Sequence, residues 1–292
     1  MGEIVGAAVV SHVPPIVMSE ADRLELNDGS EISLVPGLHR LRSECIDRLK
    51  PDTIIVLDTH WFTLLEMVVA THERRTGRFT SDELPRGMSA VPYDIPGDPE
   101  LGLTLEALAT DRGDTWITAI DDPYLPIHYG TINLLGFLQG DERWLTASIC
   151  AIADGDDFAL FGRLLAEAVA ALDRRVVILA SGSLSHRFWP LRQVRSHETS
   201  DPANIITAEA RSADEQIMKW WEAGDHRSVI DYYPEFKRHA PEGLFGHYLM
   251  MVAAMGGPDC TSAGVRYSDY ESAAGTGQIN MWFERPEGGW TA

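Results

Sequence analysis

RVVILASGSLSHRF, residues 175–188, runs from a β-branched apolar stretch into small polar residues and ends around a histidine. A short apolar run closed by a Ser/Gly cluster has the length and composition of a buried strand. Four other segments share that character: EIVGAAVV (3–10), DTIIVLDT (52–59), DTWITAI (114–120) and RWLTASIC (143–150). Between them lie GLHRLRSECIDRL (37–49), DPELGLTLEALAT (98–110) and FALFGRLLAEAVAAL (158–172), whose apolar residues recur three and four apart, as on one face of a helix. The alternation predicts an α/β fold: a central mixed sheet covered by helices. ANIITAEARSADEQIMKWWEAG (203–224) and GLFGHYLMMVAAM (243–255) add helix, and GVRYSDY (264–270) and GQINMWFE (277–284) read as late strands. No repeat, low-complexity tract or linker divides the 292 residues, so residues 1–292 are expected to form a single domain.

Composition narrows the function. The apolar fraction of 45% is enough for an ordinary core, while 44 acidic against 24 basic residues give a net charge of −20. Such a charge repels nucleic acid and anionic membranes, which favours small-molecule chemistry. No run of about 18 apolar residues is present, and MGEIVGAAVVSHVPP lacks the basic start and cleavage site of a signal peptide. The expected compartment is the cytoplasm. Cys45, Cys150 and Cys260 are widely spaced and form no CxxC pair, which suits reduced thiols.

Two stretches lack periodicity. ERRTGRFTSDELPRGMSAVPYDIPG (73–97), with three prolines, reads either as a lid or binding loop or as a surface excursion. RFWPLRQVRSHETSDP (187–202) follows the opening motif closely enough to wall the same pocket.

The histidines are informative by position. His12, His60 and His186 follow the first, second and fifth apolar runs, and ligands of open α/β sheets bind outside strand C-terminal ends, where the active site is expected. Two histidines with a carboxylate would suit non-haem Fe(II), whereas three histidines would suit zinc; spacing leaves both open. His197 and His247 read as peripheral, and His39, His72, His226 and His239 as surface residues.

SHVPPI (11–16), DTHW (58–61), ASGSLSHRF (180–188) and AGTGQIN (274–280), in that order, resemble the LigB-type class III extradiol ring-cleavage dioxygenases. SDELP (81–85) and GDPELG (97–102) further resemble the branch that cleaves homoprotocatechuate (3,4-dihydroxyphenylacetate). The resemblance implies Fe(2+) held by His12, His60 and Glu242, with His186 as the acid–base catalyst. An imidazole, with an ordinary pKa of about 6.5, can take and return a proton near neutrality. It also implies a pocket role for His128, where the homoprotocatechuate branch is expected to carry a carboxylate and other relatives a histidine, and Tyr129 could add a hydroxyl.

The implied partners are an aromatic diol and O2, cleaved to a hydroxymuconic semialdehyde by a self-sufficient homo-oligomer. Arg187, Arg192 and Arg195 are the cations nearest in sequence for a substrate carboxylate. Three readings compete with this one: a 2-aminophenol ring-cleavage dioxygenase, a zinc hydrolase using the same cluster, and a Memo-like binding protein without oxygen chemistry.

Overall fold

All five apolar runs form strands, although their limits shift. The computed structural model describes residues 2–85 and 87–292. In chain order the strands are β1 (Glu3–Val10), β2 (Thr53–Thr63), β3 (Met67–Ala70), β4 (Arg74–Phe79), β5 (Val91–Pro96) and β6 (Ile117–Ile120). They continue with β7 (Arg143–Cys150), β8 (Arg175–Ser181), β9 (Gly264–Arg266), β10 (Glu271–Ala273), β11 (Thr276–Gln278) and β12 (Met281–Glu284). Eight of them make one mixed sheet in the order β6, β3, β7, β2, β8, β1, β12, β9. The central four, β7, β2, β8 and β1, are mutually parallel, so their C-terminal ends share one edge.

Helices cover both faces. Pro99–Arg112, Gly155–Ala171 and Gly246–Ala254 pack one side through Leu101, Leu105, Phe158, Leu165 and Met251, while Leu34–Leu41 and Tyr129–Leu138 cover the other through Leu38, Leu41 and Leu134. Burial on both faces explains why the central strands are continuously apolar rather than alternating. The architecture is a single-domain α/β fold, as the alternating pattern predicts. Among the described residues no helix is long and apolar enough to cross a membrane, and the three cysteines are free and buried.

Residues 73–97 are more regular than their sequence suggests. β4 and β5 pair as an antiparallel ribbon, with Arg74 held by Asp94 through two bonds of 2.6 and 2.7 Å. Pro92 and Pro96 are tolerated because both strands of a two-stranded ribbon are edges, where a missing N–H need not face a partner. His226 is also corrected: it is fully buried, with Nδ1 2.9 Å from the Tyr248 hydroxyl and Nε2 2.9 Å from the Ser262 carbonyl. Its polar neighbours in sequence conceal a helix, His226–Phe236, that packs inward.

Candidate metal centre and substrate cavity

The parallel edge brings the chemistry together. His12 lies just beyond β1, and His60 sits where the β2–β7 register shifts between Asp58 and Phe62. Such a bulge re-aims a side chain out of the sheet's alternation. Asp58, fully buried, holds it by accepting the His60 amide at 2.9 Å and the Thr131 hydroxyl at 2.6 Å. Glu242 arrives from the opposite side on a short turn in which Gly243, Leu244 and Phe245 all have positive φ (53°, 57° and 62°). Two non-glycine residues in that region store roughly 1–2 kcal/mol each. The turn is kept by the Tyr233 hydroxyl, which donates to the Leu244 carbonyl at 3.0 Å.

Ligand atoms of His12, His60 and Glu242 lie within 4.8 Å of one another. Glu242 Oε1 is 3.1 Å from His12 Nε2 and 3.4 Å from His60 Nε2. The carboxylate is fixed by two further donors: the Thr59 hydroxyl to Oε1 and the Ser183 amide to Oε2, both at 2.6 Å.

Proton bookkeeping tests whether the set fits a cation. Ser181 donates its one hydroxyl proton to the Gly130 carbonyl at 2.7 Å, so at 2.9 Å it must accept from His12 Nδ1. The neutral His12 ring then presents a bare lone pair at Nε2 to a carboxylate oxygen. His60 repeats the pattern, with Nδ1 3.0 Å from Glu83 Oε1 and Nε2 turned inward. A second-sphere acceptor behind each imidazole is the usual support for a metal ligand. The site therefore favours positive charge among these three groups. Burial works against a charged His12, but Glu242, with Asp58 and Glu83, together outweigh it and raise the His12 pKa; burial likewise opposes ionisation of Glu242, yet His12 and His186 hold its pKa well below the carboxylate range.

His186 stands beside this set. Its Nε2 is 3.9 Å from Glu242 Oε2, its ring meets Phe188 edge-on, and burial lowers its pKa, keeping a neutral imidazole available as a base. His12, His60, Glu83, Tyr129, His186 and Phe188 line a cavity of about 600 Å³, spacious enough for a substituted single ring. Tyr129 is buried beside this set, its ring centroid 4.7 Å from that of His60.

Other expected residues are placed differently. His128 does not line the cavity; its ring stacks on Trp61 at 4.9 Å, just before the helix Tyr129–Leu138. Arg187 donates to the Arg238 carbonyl, and neither it nor Arg192 nor Arg195 lines the cavity. The 187–202 segment instead contributes Phe188, Val194 and Glu198, and the ribbon tip contributes Glu83 and Leu84. Arg86, in the same tip, lies outside the described residues.

His247 is fully buried rather than peripheral. Burial lowers its pKa to about 4, against the pull of the nearby Glu242 carboxylate. Sequence reasoning also missed Glu83, Thr59 and Ser181 as supports. Glu83 is inside the quoted SDELP, but nothing in that motif says its carboxylate returns to a histidine 23 positions earlier.

Comparison with known proteins agrees with this geometry. Residues 6–284 match the family described as the catalytic LigB subunit of aromatic ring-opening dioxygenase. The chain is 30% identical to the 3,4-dihydroxyphenylacetate 2,3-dioxygenase of Escherichia coli over 261 residues, covering 88% of this chain and 91% of that protein. It is 24% identical to the 2-aminophenol 1,6-dioxygenase beta subunit of a Pseudomonas species, covering 94% and 92% of the two chains. In fold it resembles the crystal structure of an uncharacterized protein of Escherichia coli K12, with a TM-score of 0.64, 17% identity, and coverage of 95% and 99%.

Proposed function

The chain belongs to the LigB family and is an extradiol ring-cleavage dioxygenase, and on that premise we propose that it uses Fe(II) to open a catechol beside its diol. The observation that carries the metal assignment is the convergence of two imidazole Nε2 atoms on one buried carboxylate oxygen, all within 4.8 Å. Two histidines and one carboxylate leave coordination positions open for both substrates. Fe(II) held by His12, His60 and Glu242 would supply Lewis acidity and an electron path between substrate and O2.

The protein groups do the remaining work. His12, His60 and Glu242 hold the ion, with Ser181 and Glu83 fixing the imidazole tautomers. His186 accepts a proton from a catechol hydroxyl at Nε2 and returns it as the ring opens. Tyr129 lines the cavity and presents a hydroxyl to a bound diol, and the largely apolar wall formed by Val13, Leu84, Phe188 and Val194 excludes water. His128 stacks on Trp61, outside the residues that line the cavity, and takes no direct part in the proposed reaction. The substrate is a para-substituted catechol such as 3,4-dihydroxyphenylacetate, giving a hydroxymuconic semialdehyde. The enzyme is a homo-oligomer in the cytoplasm.

Anaerobic metal stripping followed by reconstitution tests this reading. Fe(II) should restore oxygen uptake with catechols and zinc should not, a yellow product should form, and both atoms of labelled O2 should enter it. Full-rate oxygen consumption by an iron-free preparation would overturn the proposal. The likeness to the aminophenol enzyme sets the rival outcome: a preference for 2-aminophenol of about a hundredfold, roughly 2.7 kcal/mol of transition-state binding, would replace the catechol while leaving the iron site standing.

A further inference from the structure

Behind His186 lies a carboxylate that the chemistry described so far does not use. Asp214, on the helix Ala208–Glu222, has no exposed surface. Its Oδ1 accepts the Ser185 amide at 3.0 Å, and its Oδ2 accepts the Ser185 hydroxyl at 2.7 Å and the Tyr270 hydroxyl at 2.6 Å. Three donors from two other parts of the chain thus end on one side chain. Gly277 makes the approach possible, because a Cβ there would stand 2.1 Å from Asp214 Oδ2.

Ser185 is the joint between the two halves of the site. Leu184 receives the Glu242 amide at 3.3 Å, Ser185 is bridged to Pro241, and the His186 amide donates to the His239 carbonyl at 3.4 Å. On its other side the same segment pairs with Gly277, whose amide donates to the Ser185 carbonyl at 2.9 Å. A shift of Ser185 would therefore move His186 relative to Glu242.

We propose that Asp214 is a positioning residue: by gripping Ser185 at both amide and hydroxyl, it sets the place of His186 against Glu242 and so the proton transfer that opens the ring. The inference rests on the acid–base role of His186. An ionised Asp214 satisfies all three donors, whereas its acid form would add a fourth hydrogen among them. No lysine or arginine pairs with it among the described residues; Arg211 of its own helix faces Glu215 at 3.7 Å. The titratable groups around it are Tyr270, Glu215, Arg211 and, from the next helix, Tyr232. Burial outweighs the three hydrogen bonds and pushes its pKa up to about 7. A buried carboxylate without a cation costs stability that an amide would not, and such a rule is broken where function gains.

The test compares the Fe(II)-loaded wild-type enzyme with Asp214→Asn and Tyr270→Phe. Asp214→Asn should keep wild-type iron content and a KM within about twofold, while kcat per bound iron falls about tenfold to a hundredfold, the scale of a small misplacement. The pH profile of kcat should change shape in Asp214→Asn, since the side chain at 214 no longer titrates while His186 still does. A second readout needs no turnover: 4-nitrocatechol bound anaerobically changes colour on losing its proton, and Asp214→Asn should need higher pH for that change. Tyr270→Phe, which removes one donor, should shift both readouts in the same direction by less, and carries the test alone if Asp214→Asn does not fold. Unchanged kcat and nitrocatechol ionisation, or a loss confined to iron content or thermal stability, would overturn the positioning role. If nitrocatechol ionises on wild type yet no catechol is opened, ring cleavage fails as a reading, and the colour change still judges Asp214.

Discussion

His12 Nε2 and Glu242 Oε1 face each other at 3.1 Å, with the Ser181 hydroxyl at the far side of the ring, 2.9 Å from Nδ1. When the ring carries its proton toward Ser181, two acceptors face each other at that distance, and a cation between them, a metal ion or a second proton, removes the repulsion. Replacing His12, His60 or Glu242 by alanine should each abolish iron retention through dialysis against a chelator. Ser181→Ala is the more discriminating variant, because it removes only the acceptor that sets the tautomer. It should weaken iron affinity about 10- to 100-fold. Wild-type affinity in Ser181→Ala would mean that the His12 tautomer is set by something else.

His186 lies 3.9 Å from the same carboxylate but on its other oxygen, and is the more exposed of the two at 24% against 6%. His186→Asn should therefore bind iron like the wild type while losing about 10²- to 10⁴-fold in kcat, the usual worth of a general acid–base group. Iron content and turnover measured on one preparation separate the roles. Iron loss matching that of His12→Ala would make His186 a ligand.

The difference between these roles explains what the sequence could disclose. Apolar runs such as RVVILA carry their burial in their composition, so the sheet centre is legible. His12 and His60 are legible because strand ends are where α/β folds bind ligands. Glu83 and Asp214 are not, since each matters through contacts with residues between 23 and 56 positions away that no local period encodes. His226 misleads for the reverse reason: DHRSVID is polar in sequence, yet its helix turns the ring onto Tyr248. The ribbon at 74–96 is invisible to periodicity because its prolines usually argue against strands and only an isolated pair tolerates them.

Glu83 and Glu198 are the charged carboxylates lining the cavity, and neither arginine nor lysine joins them among the described residues. An anionic substrate tail placed beside Glu198 would meet like charge. Glu198→Gln should raise kcat/KM for 3,4-dihydroxyphenylacetate about two- to threefold relative to neutral 4-methylcatechol, the scale of an exposed charge pair. The gain should shrink in about 0.5 M salt, roughly where screening falls to a few ångströms. Equal gains for acid and neutral catechol would show that Glu198 does not face the tail.

Asp214 also makes a prediction about stability, with a sign opposite to that of most carboxylates. Its pKa of about 7 in the folded protein stands above the ordinary 3.8, so between these values the folded state holds a proton that the unfolded chain has lost. The group's contribution is then fully present below pH 3.8 and is lost as pH rises through about 7. An asparagine side chain in its place does not titrate. Relative to wild type, Asp214→Asn should therefore gain stability between about pH 5 and pH 8, by about 3 kcal/mol from roughly two units of titration at 1.4 kcal/mol each. Denaturant melts of both iron-loaded proteins at the two pH values measure that difference. Since turnover should fall in the same variant, stability and activity would move in opposite directions, as expected where a charge is kept for what it positions. A difference that stays flat with pH would mean that Asp214 remains ionised throughout and that its three hydrogen bonds, rather than burial, dominate its protonation.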